Sequence, residues 1–225
     1  MTAIDRLCTH EFSIDKSKSK YKKMVVFIDC NPSFSIYTQM ALVSTDRLVI
    51  PVMADFSSLE GIKGIFMLLY GLYPSVALQQ YANPILTFSK QAESFNLTLP
   101  LISQFIFNSF TKYDGKSQKS DGIATAYSSV RKEIIDFCYK QFREQPHLFF
   151  SDNNIPTNRD KWTNEFFSDV KDFHSAGKVS SSLGIPMFKL PAQSAYTMPD
   201  GKQVQLPANR YQKALDNISD FVNKL

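Results

Sequence analysis

Apolar residues fall into two patterns along this chain. Short unbroken runs fit strands covered on both faces, and longer stretches with an apolar residue every three to four positions fit helices with one buried stripe. The first run, Met24-Val25-Val26-Phe27-Ile28, leads into Asp29 and predicts a buried parallel strand over residues 24–29. Such a strand delivers its terminal carboxylate to the carboxyl edge of a sheet, where α/β proteins bind ligands. Further strands are expected over residues 47–52, 102–107 and 185–190, with Pro51 near a strand end where a ladder donor can be spared. Helices are expected over residues 35–43 (capped by Ser33 or Ser35), 57–72 (opened by serines, with Glu60 in the first turn), 75–81 after the break at Pro74, 124–142, 162–173 and 210–225. In the fourth of these, Val130, Ile134, Ile135 and Cys138 form one apolar stripe; in the last, Ala214, Leu215, Ile218, Phe221 and Val222 do. Residues 111–122, 145–160 and 192–207 read as loops, with a turn at Pro199-Asp200-Gly201. Strands alternating with helices predict an α/β fold, a three-layer, mostly parallel sheet with flanking helices. Residues 1–23 read as a polar arm or helix, and residues 24–225 as a single domain.

Composition narrows this only slightly. The 225 residues suffice for a core, and 44% hydrophobic with 20% charged residues is a globular composition. Twenty-five basic against 21 acidic residues leave a net charge of +4, which permits contact with nucleic acid without arguing for it. Cys8, Cys30 and Cys138 are far apart, so no disulfide framework or zinc site is expected, and a reduced, cytoplasmic setting fits. No signal-peptide apolar region opens the chain, and the most apolar stretch, residues 65–73, is too short to span a bilayer.

The chemistry concentrates at Asp29. In a nucleotide-binding protein an acid at that strand end is a Walker B aspartate holding Mg²⁺. An Asp at a strand end also caps a following helix or braces a turn, and on the residues alone both readings stand. No glycine occurs before Gly61, so no glycine-rich phosphate loop precedes the acid. Gly115-Lys116-Ser117 looks like the end of a Walker A motif, but Phe110 stands where the motif needs its first glycine. Gly177-Lys178-Val179 lacks the metal-binding hydroxyl. His10, His147 and His174 show no metal-ligand spacing, and Ser33 lies in no nucleophile elbow. Lys16, Lys18, Lys20, Lys22 and Lys23 form a basic cluster, a solvated arm or a DNA-phosphate contact.

Taken together, Ile28-Asp29-Cys30-Asn31-Pro32-Ser33, Ala41-Leu42, Thr45-Asp46, Ile50-Pro51-Val52 and Ser58-Leu59-Glu60-Gly61 resemble, in order and spacing, the ParA-type partition ATPases of the deviant-Walker P-loop class. The resemblance covers about forty residues. It implies an incomplete P-loop NTPase-like core, ATP and Mg²⁺ as cofactors, and ATP-dependent dimerisation in DNA segregation. It also implies partners: a second copy, a ParB-like protein and non-specific DNA, with no membrane. By resemblance Asp29 holds the Mg²⁺ shell through water, Pro32 and Ser33 shape a nucleotide-sensing turn, and Asn108 reads the base; Asn108 equally reads as a residue leaving a strand. The family's phosphate loop, K-G-G-x-x-K-S/T, and its switch I aspartate have no counterpart in this sequence. The chain therefore resembles the C-terminal part of such an ATPase, unable to hydrolyse ATP alone. The alternative is an interaction module that uses the sheet as a scaffold to pair with DNA or with another chain, such as a fragment bearing the phosphate loop.

Overall fold

A computed structural model describes residues 25–30, 33, 35–73, 75–82, 88–110, 125–151, 156, 158–171, 173–190 and 193–206, and positions 211, 212, 215, 216, 219 and 222. The expected arm over residues 1–23, Met24, Asn31, Pro32, Pro74 and the loop bearing Gly115-Lys116-Ser117 lie outside them. The elements are α1 (Ile36–Leu42), β1 (Arg47–Val52), α2 (Phe56–Tyr70), α3 (Val76–Ala82), α4 (Phe88–Ser94), β2 (Leu101–Phe110), α5 (Thr125–Glu144), α6 (Arg159–Phe166), β3 (Phe167–Lys171), α7 (His174–Leu183), β4 (Ala195–Thr197) and β5 (Gln203–Gln205). Single 3-10 turns at Pro146–Leu148 and Met187–Lys189 punctuate them. The main sheet has the order β1-β2-β3, is parallel and carries flanking helices, so the α/β class expected from the alternation holds. The chain forms two compact units, Met1–Leu48 with Lys63–Leu101, and Val49–Ile62 with Ile102–Leu225.

In the first unit the β1 and β2 strands meet at their starts, where the Leu101 N–H donates to the Asp46 carbonyl at 3.0 Å. Ala41, Leu42, Phe66, Leu69 and Ala92 are among its buried apolar residues. The α2 helix ends at Gly71, whose φ of +72° suits a residue without Cβ; a Cβ there would also lie 2.8 Å from Ser89 Oγ. The Tyr70 hydroxyl donates to the Pro100 carbonyl at 2.8 Å, and burial pushes its pKa up.

The second unit holds the body of the sheet. Ile102, Ser103, Gln104 and Phe105 are all buried, which requires cover on both faces of β2 and is the mark of a central parallel strand. The expected α5 stripe of Val130, Ile134, Ile135 and Cys138 is buried, and Phe142 extends it. Phe142, Phe149, Trp162 and Phe166 pack as one aromatic cluster, with ring centroids 5.3–6.2 Å apart. A smaller core gathers Ala176, Val179, Leu190, Tyr196 and Leu206 around the antiparallel β4–β5 hairpin.

Several expectations are corrected. Residues 25–30 carry no strand, and Val25, Val26 and Phe27 are 72%, 48% and 76% exposed. The run has the composition of a parallel strand, but such a strand is held only by a neighbouring ladder, and among the described residues none adjoins it. The helix expected over residues 162–173 stops at Phe166, because Phe167 begins a parallel ladder with Phe105. The strand expected over residues 185–190 is a 3-10 turn following Pro186. Residues 192–207, expected to be irregular, contain the hairpin, although its turn lies where expected, with Gly201 at φ +81°. The helices α4 and α7 were not anticipated.

Asp55, not a serine, caps α2. Its carboxylate accepts from the Ser58 N–H at 2.7 Å, and the Ser58 hydroxyl in turn accepts from the Met53 N–H at 3.0 Å. This is a reciprocal arrangement akin to a capping box. Asp55→Ala is expected to cost about 1 kcal/mol. A urea-denaturation midpoint equal to that of the parent would refute the cap.

Candidate functional site

The sequence-derived site residues fall in different places. Asp29 is exposed, on the irregular segment that precedes α1. Beside it the exposed Cys30 thiol lies 3.8 Å from the Ile28 carbonyl. Ser33 is exposed at a bend, and its carbonyl accepts from the Thr38 hydroxyl at 2.8 Å, which ties the bend to the first turn of α1. Ser35, extended, occupies the N-cap position of the helix, but its side chain makes no capping hydrogen bond. Pro32 lies outside the described residues. These positions belong to the first unit.

Asn108 belongs to the second unit, and its placement differs from the expected strand end. The β2 strand runs on to Phe110, and Asn108 occupies an exposed position inside it. The β2–β3 register shifts between Phe107 and Phe110, an irregularity of the kind that re-aims side chains near the end of a strand. Ser58-Leu59-Glu60-Gly61, the last piece of the resemblance, forms the opening turns of α2; Leu59 is buried and Glu60 exposed. Its serine serves the cap described above.

One polar cluster packs against Phe107, the residue before Asn108. Arg131 on α5 donates from both terminal nitrogens to the Asp169 carboxylate on β3, at 2.6 and 3.4 Å. Its guanidinium also lies 4.2 Å from the centroid of the Phe107 ring on β2. One half-buried cation thus joins three elements through a fork-to-carboxylate pair and a cation–π contact. The sequence holds no cue for this, because Arg131 and Asp169 belong to no motif and meet only through the β2–β3 ladder. A second group is wholly structural: Gln104, 1% exposed, donates to the Glu165 carbonyl at 2.7 Å and accepts from the Ser168 hydroxyl at 2.8 Å.

Cys138 is buried, and burial pushes its thiol pKa up. Iodoacetamide is therefore expected to modify the exposed Cys30 in the folded protein and to reach Cys138 only in denaturant. Peptide mass spectrometry reads this directly, and native labelling of Cys138 at the rate of Cys30 would contradict it.

Whether Mg²⁺ and a nucleotide fit here turns on the backbone around Asp29. The chain has no glycine before Gly61, and Asp29 stands in solvent. Among the described residues no three His, Cys, Asp or Glu side chains gather to hold a metal ion. The described residues do not assemble a phosphate cradle beside this acid.

Residues 3–77 match the family model described as an AAA domain. The AAA-domain match takes in Asp29, Pro32, Ser33, β1, all of α2 and the first residues of α3, and it indicates a P-loop NTPase-like sequence at that coarse level. Domains of that class generally bind nucleotide with Mg²⁺. Asn108 and the Arg131–Asp169 cluster lie beyond the matched residues. No curated protein and no solved structure matches the chain. Among the described residues no helix is long and apolar enough to cross a membrane.

Proposed function

We propose that this chain is a ParA-like relative of the partition ATPases that does not hydrolyse ATP by itself. The AAA-domain match carries the reading, because it spans the whole stretch from Asp29 to Gly61 on which the resemblance rests. In this reading the acid is the inherited Walker B residue, ATP and Mg²⁺ are the ancestral ligands, and DNA segregation in a cytoplasmic setting is the ancestral task. Its candidate partners are a second copy, a ParB-like protein and non-specific DNA. The missing glycines explain the lack of hydrolysis, since backbone N–H groups in a glycine-rich loop supply most of the grip on phosphate. Calorimetric titration with Mg-ATP is expected to show no saturable binding, and phosphate release is expected to stay at background. Hydrolysis above background would overturn the inactivity, and tight Mg-ATP binding that survives Asp29→Ala would overturn the role given to Asp29.

A second reading is favoured by one observation, the exposure of Val25, Val26 and Phe27. An apolar, β-branched run outside a ladder is a template for pairing with another chain. Here the chain acts as an interaction module, and its partner is a polypeptide that carries the phosphate loop. Mixing with such a polypeptide is then expected to create Mg-ATP binding that neither component has alone. Failure of Val26→Lys to weaken the mixed complex would count against pairing through this run.

A further inference from the structure

We draw no further inference here: the strongest candidate, the shallow apolar groove between α1 and α4 lined by Ile36, Met40, Phe88, Phe95 and Leu97, carries none because nothing in the structure shows what covers it.

Discussion

Replacing Trp162 with alanine is expected to cost about 3–5 kcal/mol of stability, the usual range for deleting a large buried ring. The indole is fully buried, and its ring centroid lies 5.2–6.2 Å from those of Tyr139, Phe142, Phe149, Phe166 and Phe167. These rings come from α5, α6, β3 and the segment after the first 3-10 turn, so the cavity left by alanine would open where several elements meet. Neighbours held on separate elements relax little into such a space, which is why the cost exceeds simple transfer. In a thermal melt the loss amounts to roughly 10 °C for a chain of this size. Trp162→Phe is expected to cost about half as much, because a phenyl ring keeps most of the contacts. The indole N–H has no acceptor among the described residues, so phenylalanine forfeits no hydrogen bond. Urea denaturation followed by circular dichroism tests both variants. A loss under about 1 kcal/mol for alanine, or equal losses for the two substitutions, would refute this account of the cluster.

The second large effect is expected at Gln104. Gln104→Leu keeps a side chain of similar size but removes both hydrogen bonds, leaving the Glu165 carbonyl and the Ser168 hydroxyl to find new partners in the core. The expected cost is about 2–4 kcal/mol, dominated by the stranded groups rather than by the bonds themselves. The position also matters for topology. Ile106 pairs with Ser168 and Phe105 with Phe167, so the bond from Ser168 to Gln104 crosses the ladder two residues from the directly opposite Ile106. A slip of one residue would carry every side chain of β3 to the opposite face, and these bonds oppose it. Combining Ser168→Ala with Gln104→Leu is expected to restore part of the stability, because one stranded hydroxyl disappears. A double-mutant cycle reads the coupling directly, and losses that add to within about 0.3 kcal/mol would show that the two side chains act independently.

Arg131 and Asp169 illustrate why a site can be invisible in a single sequence. Neither residue belongs to a motif, and thirty-eight positions separate them. Their meeting depends on the β2–β3 pairing, and thus on the strand that begins at Phe167. The spacing of Trp162, Phe166, Val170 and Phe173 is helical, so periodicity alone carries α6 through the residues that form β3. Pairing with β2 overrides it, since Phe167 gains stacked contacts with both Phe105 and Phe107 at 4.9 and 5.4 Å. Asn108 is a milder case. The sequence places it just past a strand over residues 102–107, whereas the extension to Phe110, which takes Asn108 inside the strand, and the register shift beside it come from pairing with β3.

By itself the sequence determined those features whose causes are local. The bounds of β1, a helix start beside Ser35 (one of the two expected cap positions), the buried stripe of α5 and the turn at Gly201 follow from apolar spacing and turn-residue placement, and the structure has them, although the Ser35 side chain makes no capping bond. The same local reading carried the order of pieces from Asp29 to Gly61, which lies within the matched family segment. Tertiary structure alone decided which apolar runs became strands. Residues 24–28 and 185–190 have strand-like composition, while the residues of β3 do not; yet of these three only β3 joins the sheet among the described residues. A parallel strand has no hydrogen-bond partners within itself, so its existence depends on a neighbour distant in sequence. The exposure of Asp29 has the same origin, because an acid can be delivered to a sheet edge only by a strand that has a ladder to join.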